Sequence, residues 1–265
     1  MRRNLMLALA LAAVLSLGVT AIASALTSNT FRAGNLIVTA GGGTSPSTLS
    51  RTKYTPVNTT IFGKIKTSDG THPSAMREVV FDIDKDVKLD VRGYPVCKPG
   101  QLTARPTSAA RRVCGKTTLG TGIAHAQIAF PEQAPIKVTS PITIFNGGGN
   151  ARKMKLLIHT FLTVPVPAAI VTQVTIQKKG TGIHSIAKIP VIAGGSGSVL
   201  DFRFKVGKTY KVGKKKRYYS SAKCPDGKFI ARVPKALFKN EARVPGVDAQ
   251  TVIKGSIAVP CKPKR

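Results

Sequence analysis

From Asn35 to Val259 apolar residues recur at every second position, and no stretch of useful length carries the three-to-four-residue spacing of an amphipathic helix. The pattern predicts an all-β chain. Its sharpest stripe runs from Glu78 to Arg92. Val79, Phe81, Ile83, Val87, Leu89 and Val91 take one parity, and Glu78, Asp82, Asp84, Asp86, Lys88, Asp90 and Arg92 take the other. Such alternation describes one or two half-buried strands with a wet face. Similar stripes begin at Val57, Ile136, Ile170, Leu200 and Ile253. After Leu156 the segment to Val166 is apolar on both faces, which predicts a central strand covered on each side.

Turn clusters punctuate these runs at Ser68-Asp69-Gly70, Asn146 to Asn150, Gly194 to Gly197 and Pro225-Asp226-Gly227. About a dozen strands are expected by this alternation, arranged as a β-sandwich of immunoglobulin-like or jelly-roll-like type. One short helix is expected over Thr107 to Cys114, capped by Thr107 or Ser108. The mature chain, 26–265, reads as one extended domain with a basic carboxy-terminal portion. The Gly/Ser break at 194–198 is either a sub-boundary or a hairpin loop.

Arg2 and Arg3 precede an uncharged, mostly apolar run from Leu5 to Ala25 that ends Ala23-Ser24-Ala25. This is the pattern of a secretory signal peptide over 1–25, with a retained anchor as the alternative. Export makes the four cysteines disulfide candidates. Nearest-neighbour pairing, Cys97 with Cys114 and Cys224 with Cys261, is expected among the three possible connectivities. No close-spaced Cys or His pair suggests zinc. The net charge of +30 predicts long-range attraction to anionic polymers or an anionic envelope surface.

Two constellations carry candidate chemistry. Asp82, Asp84, Asp86 and Asp90 follow the spacing of calcium-binding acidic loops, although Val87 stands where such loops need glycine and Gly93 where they need glutamate. Strand alternation produces the same spacing, so a salt-bridged strand face competes with a Ca²⁺ site. Lys205, Lys208, Lys211, Lys214, Lys215, Lys216 and Arg217 are interleaved with Tyr210, Tyr218 and Tyr219. That is a polyanion footprint in which tyrosines would stack on bases or sugars, or else a solvated hairpin whose lysines guard an edge. Sequence-specific nucleic-acid recognition is not expected.

Catalysis is not expected either. The histidines are scattered, Gly194-Gly195-Ser196-Gly197-Ser198 fails the nucleophile-elbow pattern at its last position, and no phosphate-binding loop is present. The absence of tryptophan lowers the case for sugar stacking.

The stretches Ala40 to Gly43, Ser68 to Pro73, Ala129-Phe130-Pro131-Glu132-Gln133, Phe145 to Gly148 and Ile189 to Ser198 resemble those of an uncharacterised family of secreted β-rich proteins from high-GC Gram-positive (actinobacterial) soil bacteria. The resemblance implies export and a β-rich fold. It hands over no activity and no functional residues. The reading is therefore an exported binding or structural protein with electrostatic affinity for anionic polymers. A calcium-stabilised adhesion sandwich and a secreted hydrolase are the alternatives.

Overall fold

The computed structural model describes residues 26–130 and 133–264. The leader expected over 1–25, and Pro131 and Glu132, lie outside the described residues. The alternating stripes fold as strands. In chain order they are β1 (Thr27–Ala33), β2 (Leu36–Ser45), β3 (Thr48–Leu49), β4 (Thr55–Pro56), β5 (Asn58–Thr67), β6 (Ala75–Ile83) and β7 (Val87–Leu89). Helix α1 (Thr107–Cys114) follows, then β8 (Thr118–Phe130), β9 (Gln133–Gly149), β10 (Lys153–Leu162), β11 (Ala168–Lys179) and β12 (Gly182–Lys188). The last third holds β13 (Gly197–Val206), β14 (Thr209–Val212), β15 (Lys215–Tyr218), β16 (Ser220–Ala222), β17 (Lys228–Lys239), β18 (Gln250–Pro260) and β19 (Lys262–Pro263).

Twelve of these form one antiparallel sheet in the order β1-β2-β5-β13-β8-β9-β10-β11-β12-β6-β17-β18. The sheet is nearly closed, because its two end strands meet. Asn29 Nδ2 on β1 donates to the Ser256 carbonyl on β18 at 2.8 Å. Beside that bond the Phe31 ring lies against Gly255, where a Cβ would come within 2.1 Å of the ring, so the seam needs a residue without a side chain there. The Gly194–Gly197 segment lies in the connection from β12 to β13, which have β8, β9, β10 and β11 between them in this sheet, so it belongs to a crossover and not to a hairpin loop.

Inner positions hold the core. One cluster gathers Ile142, Ile144, Leu156, Val174 and Ile176 beneath Val91, Tyr94, Tyr210 and Tyr219. Another gathers Leu36, Ile65, Val79, Phe238 and Ile253. Outer positions on β5, β10 and β13 carry exposed Lys64, Lys66, Lys153, Lys155, Arg203 and Lys205.

Strand β10 explains its two-faced apolar sequence. Leu156 points to the inner core, while Leu157 and His159, both fully buried, face a second cluster formed by Phe145, Leu102, Ala110 and the Cys97–Cys114 disulfide. The excursion carrying α1 is therefore the lid over the outer face of β10. Cys97 itself leaves a loop rather than a strand, and its amide donates to the Asn146 carbonyl at 2.9 Å. Helix α1 starts at Thr107 with Pro106 in the N-cap position and no side-chain cap, in place of the expected Thr or Ser cap. Arg111 and Arg112 occupy its last turn, where cations suit the helix dipole.

Asn146 to Gly149 does not form the expected turn. These residues continue β9, and the reversal comes at Asn150–Arg152. Buried Asn146 donates to the Tyr94 and Pro95 carbonyls and accepts from the Gly148 amide, which pins the segment. Gly148 and Gly149 take φ of 93° and 122°, and a Cβ at Gly149 would sit 2.3 Å from the Lys153 carbonyl oxygen. Glycine here makes a bulge in the ladder rather than a reversal.

Both disulfides join nearest neighbours, Cys97 to Cys114 and Cys224 to Cys261. The first closes a loop of sequence separation 17, which the chain-entropy account values at about 3 kcal/mol. Replacing both Cys97 and Cys114 by serine is expected to lower unfolding stability by roughly that amount. It should also raise binding of a hydrophobic dye as Leu157 loses its cover. Denaturant titration and dye fluorescence check the two effects.

Candidate functional site

The inner face of the nearly closed sheet bounds a cavity of about 350 Å³ whose wall is almost wholly apolar. Its lining is drawn from nearly every strand of the large sheet, including Ile61 on β5, Val79 on β6, Ala126 on β8, Ile158 on β10, Ala187 on β12 and Ile257 on β18. Small residues at inward positions, among them Gly42, Ala124, Ala126, Ala187 and Ala231, leave the space unfilled. Two hydroxyls on this wall, Thr44 Oγ1 and Ser220 Oγ, are buried without a hydrogen-bond partner among the described residues.

A second, wider cleft of about 650 Å³ lies at the end of the sheet where the β9–β10 and β11–β12 hairpins turn. Lys85, Lys88 and Arg92 reach it from β7 and the loops on either side of it, Arg152 and Lys178 from the two hairpins, and Arg217 and Lys223 from β15 and the loop after β16. Against these seven cations stand two carboxylates, Asp86 and Asp90. Val87, Leu89, Ile176 and Ile183 line both spaces, so the cationic cleft and the apolar interior share one wall.

Each aspartate of the acidic stripe has its own partner. Asp82 lies 2.6 Å from His184 Nδ1 on the outer face. Asp84 accepts from the amides of Asp86 and Ile230 and shapes the turn between β6 and β7. Buried Asp86 faces Lys223 Nζ at 3.2 Å, and hydrogen bonding to that carboxylate raises the lysine's pKa. Burial opposes ionisation of Asp90, but the hydrogen bonds and charge of Arg92, with Arg217 added, hold its carboxyl below the usual range. Among the described residues no three His, Cys, Asp or Glu side chains converge as a metal ligand set.

The lysine-rich segment runs from Lys205 at the end of β13 through Lys208 into the β14–β15 hairpin, where Tyr210 lies opposite Arg217 and Lys211 opposite Lys216. Tyr210 and Tyr219 are buried, so they are not the stacking platform that their spacing suggests. The Tyr210 ring packs on Tyr94 at 4.7 Å, and its hydroxyl shares its one hydrogen between the Asp90 and Arg92 carbonyls. Only Tyr218 is partly open. Arg217 pairs with Asp90 at 3.3 Å. Lys205, Lys208, Lys211, Lys214, Lys215 and Lys216 are exposed and form no ion pair among the described residues. The acidic stripe and the lysine segment thus meet at one pair, and six cations face outward.

Sequence spacing gave no hint of three histidine contacts. His125 Nδ1 meets Asp201 at 2.6 Å on the outer face. His159 Nε2 lies 2.9 Å from the Arg105 carbonyl beneath the α1 excursion. His72 lies between Gln127 and Ser198, at 2.9 and 3.1 Å. Ser198 is 1% exposed and donates its only hydrogen to the Pro73 carbonyl at 2.5 Å, so His72 is the donor toward it. A nucleophilic serine needs the opposite polarity, and this trio serves as a tie between β8, β13 and the β5–β6 loop.

The chain matches no protein-family model, no curated protein and no solved structure.

Burial depresses the pKa values of His72 and His159 from 6.5, and Arg111 adds to the effect at His159. The unfolded chain therefore binds protons that the folded one refuses as pH falls below 6.5. Stability is present above that pH and is lost progressively below it. The melting temperature is expected to fall between about pH 6.5 and 5. His159→Gln should flatten that slope, and scanning calorimetry on both proteins reads the difference.

Proposed function

We propose that the protein is an exported binding protein that holds an apolar molecule within its sheet, the sheet acting as a barrel-like container. The observation that carries this reading is the apolar cavity lined from strands all around the sheet. Two flat layers packed face to face at about 10 Å would interdigitate their inner side chains and leave little space. The meeting of β1 with β18 supports the container instead. At about 350 Å³ the space falls in the range of small-molecule sites, about 300–1,000 Å³. Each methylene transferred there from water contributes about 0.8 kcal/mol.

The two disulfides agree with a role outside the cytoplasm, since they fit an oxidising compartment. Among the described residues no helix is long and apolar enough to cross a membrane. The charged outer faces of β5, β10 and β13 are the reverse of strands that face lipid tails.

An environment-sensitive neutral dye such as N-phenyl-1-naphthylamine is expected to brighten on binding the protein. Ala187→Leu should weaken that binding while leaving the melting temperature unchanged or higher, because the added methyls fill space. In a filled core the same kind of change would destabilise by about 1–3 kcal/mol. No dye binding, or a drop in stability of that size, would refute the container.

The six open lysines favour a second, compatible reading, electrostatic attachment to an anionic polymer along the end of β13 and the β14–β15 hairpin. Changing Lys208, Lys211, Lys214 and Lys216 to glutamine should shift elution from a heparin matrix to lower salt. Unchanged elution would remove this segment from that role.

A further inference from the structure

We infer that the cationic cleft and the apolar interior are one composite site for a single-chain anionic amphiphile, its carboxylate or phosphate headgroup in the cleft and its chain in the interior. The inference rests on the reading of the interior as a binding chamber and adds the class of ligand.

Three observations meet here. The first is adjacency. Val87 and Leu89 on β7, with Ile176 and Ile183 on the facing hairpin strands, line both spaces, so a chain passing between them leaves the charged cleft and enters an apolar one. The second is charge. Within the cleft Asp86 is paired with Lys223, and Asp90 with Arg92 and Arg217. Four cations, Lys85, Lys88, Arg152 and Lys178, then have no carboxylate partner among the described residues, and of these Lys88 lies over the Tyr54 ring at 3.7 Å, which leaves Lys85, Arg152 and Lys178 for a headgroup. Arg152 and Lys178 are held together, because the Lys178 amide donates to the Arg152 carbonyl at 2.8 Å. The third is the mismatch of the two walls. A neutral hydrophobe has no use for a rim of seven cations, and a purely polar anion has no use for the apolar space behind them. Only a molecule with both parts satisfies both surfaces. Arg217 Nε, buried and without a hydrogen-bond partner among the described residues, adds a donor on the cleft wall.

The test compares ligands of equal chain length on the disulfide-bonded protein: dodecyl phosphate, dodecanoate and dodecanol, each displacing the neutral dye below its micellar concentration. The anions are expected to displace the dye about tenfold more strongly than the alcohol at low salt, and the gap should close as salt is raised. The variant Lys85→Gln/Arg152→Gln/Lys178→Gln alters exposed side chains only. It should lose most of the preference for anions while binding dye and alcohol as before. Leu89→Trp, which crowds the shared wall, should weaken all three ligands, with calorimetry confirming that it remains folded. Equal binding of anions and alcohol to the unaltered protein would overturn the composite site and leave the container standing. A preference that survives the triple substitution would also overturn it. If neither dye nor any ligand binds, the container falls and the composite site falls with it. A ranking of phosphate against carboxylate assigns the headgroup.

Discussion

Geometry of closure governs this molecule. A sheet of twelve antiparallel strands that nearly returns to its first strand encloses more room than its inward side chains fill, since the enclosed width grows with strand number. Closed sheets of about eight strands have an interior just wide enough to be filled by side chains or to hold one small ligand. Here the inward positions include several alanines, glycines and threonines, and the core divides into clusters around the space. The same closure leaves each strand one outward face, and the chain spends its lysines and arginines there. Apolar inside and cationic outside is thus one pattern seen from two sides.

Closure also sets what happens at the ends. The β14–β15 hairpin, β7 and β16 crowd the end that holds the cleft, and their tyrosines Tyr210 and Tyr219 plug part of it. What remains open between the plug and the β9–β10 and β11–β12 hairpins is rimmed by lysine and arginine. The acidic stripe contributes only two members to this rim, and both are already paired, so the local excess of positive charge persists.

Strand content was legible in the chain because period-two alternation depends only on one face being buried, which each strand of the sheet satisfies. The helix at Thr107–Cys114 and both disulfides were legible for local reasons of composition and spacing. The two-faced apolar run after Leu156 correctly announced a cover, but not that the cover would be the α1 excursion. Asn146 to Gly149 misled because glycine at positive φ serves a bulge as well as a turn. Tyrosines between lysines suggested a stacking surface, yet two of them point inward, and a three-residue interval on a bent hairpin does not record direction. The cavity and the cleft were not legible at all. They join residues as distant as Lys85 and Lys223 or Gly42 and Ile257, and pairing order, which a single sequence does not carry, brings these together.

Strand β7 spans only Val87 to Leu89 and is held to β16 through three residue pairs. It supplies half of the partition between the two chambers, but the twelve-stranded ladder does not run through it. Swinging this short segment aside would break a few hydrogen bonds and leave the frame intact. If the interior is the binding chamber proposed above, exchange of its occupant demands local fluctuation instead of global melting, and the resilience of the whole can be high while this segment stays loose.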